Sequence, residues 1–326
     1  MRSATLRRLT AALALGAVLG LTAACGGDTD TDSAPADAAA GFPRTVQHAM
    51  GSTTIKTKPE RVVVLDTPEA SAALLAGVKP IAAVSVDPVN KTYPAHVRAE
   101  LEGVPDVGPL AEPNIDKILS LKPDLIISSK QRHEKIYDRL SQIAPTVFAA
   151  APGSGWQQNI GLFAQAMGRE KEAEAALTAY RTRAKALGEA AKAKNNGTMP
   201  TFSIVRFVDG PTRLYQPSSF SGTVLADAGL ARPASQQDAS AVMTEIGPEL
   251  IEKADADYVF VCAYGDPAKT QQAAFQASPL WNSLTAVKNQ RVIPVSDDTW
   301  MTGIGVQGAH LILDDIAKAV GVDAPR

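Results

Sequence analysis

The stretch from Gly168 to Asn196 constrains the fold most. Ala173, Ala176, Leu177, Tyr180, Ala184, Leu187 and Ala191 recur at steps of three and four, which is one face of an α-helix, while the opposite face is Glu, Lys and Arg. At about 1.5 Å per residue such a helix is roughly 35–40 Å long, the width of a small domain. Strand and helix patterns alternate before it and again after it. The chain is therefore read as α/β: two Rossmann-like lobes joined by one long helix, with a ligand cleft between them.

Before the helix, apolar runs at 61–66, 81–86, 125–129 and 145–149 read as strands, with helices at 68–75, 114–121 and 133–143. The proline-rich stretch Asp87 to Pro113 reads as irregular. Trp156 to Met167 starts a helix that Gly168 interrupts. After it, strands are expected at 201–207, 258–263 and 291–295, with a hairpin arm at 213–216. Helices are expected at 222–228, 248–254, 279–284 and 308–320. The expected divisions are a leader at 1–24, a tether at 25–41, an N-terminal lobe at 42–155, a connecting segment at 156–196 and a C-terminal lobe at 197–326.

The halves echo each other. Ile115 to Ile127 (IDKILSLKPDLII) lies over Pro248 to Phe260 (PELIEKADADYVF), so that Asp124 matches Asp257 and Asp116 matches Glu249. Two similar lobes follow from this correspondence without using the helix at all.

The first residues are a targeting segment rather than fold. Arg2, Arg7 and Arg8 precede an apolar run that ends Leu21-Thr22-Ala23-Ala24-Cys25-Gly26. This resembles a bacterial lipobox, which implies cleavage before a lipid-modified Cys25 and a membrane anchor on the extracytoplasmic face; Thr22 departs from the usual Leu or Val. Residues 26–41 are small, polar and acidic, as a disordered tether is. The other of the two cysteines, Cys262, sits in an apolar run and reads as a small buried hydrophobe. A net charge of −2 gives no reason to expect nucleic acid.

No Walker loop, GxSxG elbow or CxxC occurs, and the four histidines lack metal-ligand spacing. An enzyme is not expected, nor is a cofactor or a protein-built metal site. Gly303-Ile304-Gly305-Val306-Gln307-Gly308 matches GxGxxG, but it does not directly follow a strand and too little chain remains for a βαβ unit. It reads as a glycine-rich turn into the last helix.

Ligands of open α/β sheets sit beyond the carboxyl ends of the strands. That rule selects Asp66 to Pro68, Lys130 to Arg132, Arg206-Phe207 and Asp297 to Met301. Arg206, near the end of an apolar strand, is either paired to a carboxylate or aimed at a ligand, and the ligand is favoured. Trp300 is expected on a loop facing the cleft, with Trp156 and Tyr215 as further candidates and Trp281 as packing. Asp116 and Glu249 each lie in the first turn of a helix, where the macrodipole favours a carboxylate by about 0.3–1 kcal/mol. As matched acids, one per lobe, they also suit a symmetric partner with two basic pockets.

These residues resemble the substrate-binding lipoproteins of ABC importers for iron–siderophore complexes, the class with a rigid connecting helix that includes cobalamin and haem binders. The resemblance covers about residues 43–322. It rests on Arg61-Val62-Val63-Val64 with Pro68-Glu69, Glu112 to Lys117 running into Lys122 to Ile127, Arg132-His133-Glu134-Lys135, Ser221-Gly222 and Asp297 to Trp300. The Arg132-His133-Glu134 stretch is similar to members that take ferric hydroxamates. The resemblance implies a monomer that holds a ferric siderophore, with iron wrapped by the chelator. By position it assigns ligand contact to Arg132, Arg206, Tyr215 and Trp300, and more weakly to Trp156 and Phe220. It also implies docking on a permease dimer through Asp116 and Glu249, where Asp116 replaces the usual glutamate. The alternatives are cobalamin or haem binding on the same fold, or an exported α/β enzyme.

Overall fold

The computed structural model describes residues 41–85, 93–266 and 268–323. The leader, Cys25 and all but the last residue of the expected tether lie outside them. Two five-stranded sheets flank the connecting helix. The first contains β3 (Val62–Val64), β4 (Ala82–Ser85), β5 (Asp106–Pro109), β6 (Leu125–Ser129) and β7 (Thr146–Ala149), in the order β5-β4-β3-β6-β7 with every pair parallel. Apart from β5 these strands are buried along their length, which is why they read as continuous apolar runs rather than alternating ones.

The second sheet contains β8 (Phe202–Val208), β9 (Thr212–Tyr215), β10 (Met243–Ile246), β11 (Tyr258–Tyr264) and β12 (Val292–Pro294), ordered β10-β9-β8-β11-β12. Strands β8, β11 and β12 are parallel, while β9 turns back on β8 and β10 on β9. The hairpin arm expected at 213–216 is thus β9.

The long helix runs from Glu170 to Lys194, after Gly168 ends the Trp156–Met167 helix in a left-handed conformation. Ala173, Leu177, Tyr180, Ala184, Leu187 and Ala191 are buried on it, as the periodicity requires. One apolar core joins this face to one side of both sheets: Val62, Ile127 and Val147 from the first, Phe202, Ile204 and Phe260 from the second. Each sheet has its own smaller core on the other side, around Phe148 and Leu140 in the first and Phe207, Phe275 and Trp281 in the second. Trp281 packs as expected, and Cys262 is buried with its thiol pKa pushed up by burial.

Two buried residues on the helix escape an apolar pattern. Arg183 donates to Asp314 at 2.5 Å and to the His310 carbonyl at 3.1 Å, tying the connecting helix to the closing helix Val306–Val320. Gly188 lies against the Ala228 carbonyl at the end of the Phe220–Asp227 helix.

The internal echo has a structural basis. Asp124 accepts from the backbone N–H groups of Glu60 and Arg61 at 2.8 Å each, and Asp257 accepts from that of Thr201 at 2.7 Å. Each aspartate therefore pins the start of one strand (β6 or β11) to the chain entering its neighbour (β3 or β8).

Several elements differ from the sequence reading. The stretch read as irregular contains a short helix, Ala95–Arg98, and β5, whose Asp-Val-Gly-Pro sequence has the composition of a turn. An antiparallel hairpin of β1 (Arg44–His48) and β2 (Gly51–Ile55) and the half-exposed edge strand β10 went unread. The helix expected at 133–143 is three short pieces between Lys130 and Ser141.

Candidate functional site

In the first sheet the strand order reverses between β3 and β6, the kind of point where open α/β sheets bind ligands. Asp66 follows β3 and caps the Thr67–Leu75 helix, accepting from the Thr67 N–H at 2.7 Å through Oδ1. Arg132 follows β6 and donates Nε–H to Asp66 Oδ2 at 2.9 Å. Its side chain is 41% exposed, and its two terminal nitrogens donate to no other described residue. The capping carboxylate thus holds the base of the guanidinium and leaves the fork open.

The second sheet carries a matching pair of different character. Arg206 on β8 donates Nε–H and Nη2–H to Asp297 at 2.6 and 2.7 Å, and Nη1–H to the Tyr215 hydroxyl at 2.9 Å. Both partners of the ion pair are 12% exposed. Desolvation works against the guanidinium charge, but the bonds to Asp297 and Tyr215 outweigh it and raise its pKa. The Arg206 Cζ also lies 5.0 Å from the ring centre of Tyr264, whose other side is open to solvent.

Between the halves lies a cavity of about 650 Å³ whose polar lining includes Asp66, Arg98, Arg132, Tyr264, Asp297 and Asp298. A second compartment of about 570 Å³ adjoins it, sharing Met301 and Ile304. Tyr215 and Phe220 line this second space.

Arg132, Tyr215, Phe220 and Trp300 therefore line the cleft, but Trp300 is not placed as expected, and Arg206 and Trp156 line neither compartment. Arg206 lines neither compartment, because a buried guanidinium needs a counter-charge and Asp297 supplies it. Trp300 is not on a loop. It ends the Asp297–Trp300 helix, stacks on Phe260 at 4.5 Å, donates its indole N–H to Asp315 and is 0% exposed. It lines the second compartment from within the core. Trp156 is buried between Tyr180 and Phe220 and donates to Thr223, so it supports Phe220 from below.

Of the Arg132-His133-Glu134 stretch only the arginine reaches the cleft. His133 is buried, donating Nε2–H to the Leu110 carbonyl at 2.7 Å and bonding Ser128 through Nδ1. Glu134 pairs on the surface with Lys130. Asp116 and Glu249 are exposed in the first turns of the helices that lead into β6 and β11. Tyr264 and Arg98 were missed. Tyr264 is the last residue of β11 and falls under the same strand-end rule that selected Arg206. Arg98 lies in the stretch read as irregular and carried no signal.

The GxGxxG match is close packing. A Cβ on Gly308 would sit 1.8 Å from the Gly303 carbonyl oxygen, and one on Gly305 would sit 2.7 Å from the Ser71 Cβ. The turn lets the closing helix press on the Thr67–Leu75 helix, and Gln307 reinforces that contact by donating to the Ser71 carbonyl at 3.1 Å. Nearby, Asp298 accepts from the Ala95 N–H at 2.9 Å. These contacts floor the cleft. Among the described residues no group of three or more His, Cys, Asp or Glu side chains is placed to hold a metal ion.

Glu69 lies in the first turn of the helix that Asp66 caps. It is 0% exposed, and neither carboxylate oxygen has a hydrogen-bond partner among the described residues. Burial first, and Asp66 second, raise its pKa well above 4.5. The folded chain then keeps a proton that the unfolded chain releases, so Glu69 lowers stability as pH climbs above 4.5. Glu69→Gln should gain stability relative to the wild type by up to about 1.4 kcal/mol per pH unit above that point. Urea unfolding at pH 5 and pH 8 checks this, and a difference that does not change with pH would show that Glu69 is ionised in the fold.

Residues 62–299, well over half of the chain, match the periplasmic binding protein family. The chain belongs to that family. It is 36% identical over 284 residues to the probable siderophore-binding lipoprotein YfiY of Bacillus subtilis, covering 84% of this chain and 86% of that one. It is 31% identical to the Fe(3+) dicitrate-binding periplasmic protein FecB of Escherichia coli, over 85% of this chain and 90% of FecB. Among solved structures, Staphylococcus aureus SirA complexed with staphyloferrin B superposes with a TM-score of 0.79 at 32% identity, over 86% of this chain and 100% of SirA. Among the described residues no helix is long and apolar enough to cross a membrane.

Proposed function

We propose that this chain captures a ferric siderophore in the cleft between its halves and delivers it to an ABC permease. The observation that carries the reading is Arg132: a guanidinium fixed at its base by Asp66 and open at its fork, facing a cavity large enough for a chelate. Charge-assisted hydrogen bonds from that fork to the chelating oxygens would orient the complex. Tyr264, exposed at the rim with Arg206 behind it, offers a ring face to the organic shell. Iron is cargo here, wrapped by its chelator. The names of YfiY, FecB and SirA support the class of ligand.

Within that class, carboxylate donors suit the site best, because a guanidinium fork pairs bidentately with a carboxylate. The dicitrate of FecB agrees with this. A ferric hydroxamate is the second reading; it came from Arg132-His133-Glu134, of which His133 is a buried structural residue and Glu134 pairs on the surface. In the same proposal the chain works as a monomer anchored by lipid on Cys25. Asp116 and Glu249 each meet a basic pocket on one half of the permease dimer.

Tryptophan fluorescence titrations with ferric citrate, ferrichrome, haem and cobalamin test the reading. A ferric chelate should quench, while its iron-free form and free iron should not; stronger binding of haem or cobalamin would overturn it. Arg132→Ala should weaken the bound chelate by about 2 kcal/mol, roughly thirtyfold, through loss of charge-assisted bonds. Glu249→Ala should bind normally and lower uptake into cells. If both variants lose binding equally, the ligand and docking roles are wrongly divided.

A further inference from the structure

The two compartments differ in chemistry. The first is charged, with three carboxylates and two guanidiniums in its wall. The second has no charged residue in its lining. Its apolar wall includes Ala150, Ala151, Phe220 and Val242, the last of these 49% exposed at the edge. Its side-chain polar groups are hydroxyls, one amide and the Trp300 indole N–H, which donates to Asp315, and most of the hydroxyls are already engaged. Ser218 donates to the Ala241 carbonyl, Ser219 to the Gln216 carbonyl, and Tyr215 accepts from Arg206. Ser154 is exposed, and Ser221 is the buried exception. It is 1% exposed, lines this compartment, and its Oγ has no hydrogen-bond partner among the described residues.

A buried hydroxyl without a partner costs about 1–3 kcal/mol, and the cost is recovered when a partner arrives. A charged group entering this space would be desolvated against neutral walls, which is unfavourable by several kcal/mol. Met301 and Ile304 line both spaces, so the neutral compartment adjoins the charged one. We infer that the second compartment is a subsite for an uncharged amide- or hydroxyl-bearing arm of the ferric chelate whose iron-binding head lies beside Arg132, and that the Ser221 hydroxyl bonds that arm. Ligand choice is then set twice: the head by charge, the arm by length and neutrality. A compact chelate fills only the first compartment. An arm with a terminal carboxylate is rejected by the second.

This inference rests on the ferric-chelate reading, and the test separates the two. Two probes share one head: ferric citrate, and ferric citrate extended at one terminal carboxyl by an uncharged hydroxyalkyl amide. Isothermal titration of the wild-type chain should show the extended chelate binding about tenfold tighter, a gain of about 1.4 kcal/mol. Ala151→Trp, at a half-buried wall position, fills the compartment and should abolish that advantage while leaving ferric citrate unchanged. Ser221→Ala should reduce the advantage with no loss of thermal stability, since it removes an unpartnered hydroxyl. Equal affinity of the two chelates in the wild type, or equal weakening of both by Ala151→Trp, overturns the subsite. An advantage that survives Ser221→Ala intact overturns the role of Ser221. If neither chelate binds the wild-type chain, the carboxylate reading fails and the subsite falls with it.

Discussion

Arg206→Ala should cost about 3–5 kcal/mol of folding stability, whatever it does to ligand binding. The variant removes one half of an ion pair that is 12% exposed on both sides and leaves Asp297 desolvated without its two guanidinium donors. It also strips the Tyr215 hydroxyl of a donor and the Tyr264 ring of the cation behind it. A loss of ligand affinity in this variant would therefore report on the shape of the wall. The double variant Arg206→Met with Asp297→Leu separates the contributions. It removes both charges together and should regain most of the stability, because apolar replacement of a whole buried pair is often neutral or better. Denaturant midpoints of the two proteins check this. A single variant that unfolds like the wild type would mean that the pair is open to water.

The contrast between the two arginines shows what a sequence can carry. Both follow the strand-end rule, and the rule did bring Arg132 to the cleft. It could not say which arginine would be buried and fully engaged by its counter-charge, because Asp297 is far away in the chain and reaches Arg206 only through the pairing of β8, β11 and β12. Trp300 was placed on a loop for a related reason. The glycines around it mark close packing of helices, and that packing turned a presumed loop into a buried helical turn. Periodic features were legible. The alanine stripe and the apolar strands are fixed by local geometry repeated along the chain, and the echo of Asp124 in Asp257 by one strand-start contact made once in each half. Edge strands such as β5 and β10 were not, since a short, half-exposed strand carries neither an apolar run nor a clean alternation.

Gly188→Ala is expected to destabilise the chain by about 2–3 kcal/mol even though alanine is better than glycine in a helix by about 1 kcal/mol. Gly188 lies inside the connecting helix, so propensity alone predicts a gain. Its missing Cβ would fall 1.8 Å from the Ala228 carbonyl oxygen, and a backbone atom at the end of the Phe220–Asp227 helix has no rotamer in which to escape. The two helices must separate, and the Tyr180 hydroxyl, which donates to Asp227 at 2.7 Å, would be pulled from its partner. Gly161→Ala is the matched control. It lies in the Trp156–Met167 helix with nothing within 4 Å of the added Cβ, so it should stabilise by up to about 1 kcal/mol. Opposite signs for two glycine-to-alanine changes in adjacent helices would show that the connecting helix is fixed to the Phe220–Asp227 helix of the second half by contact as well as by chain. Held there at Gly188, and to the closing helix through Arg183, it has little freedom to bend, so ligand entry should move the halves by a small hinge rotation. Solution scattering profiles with and without a bound ferric chelate should then nearly superpose, and a large compaction on binding would contradict the rigid connection.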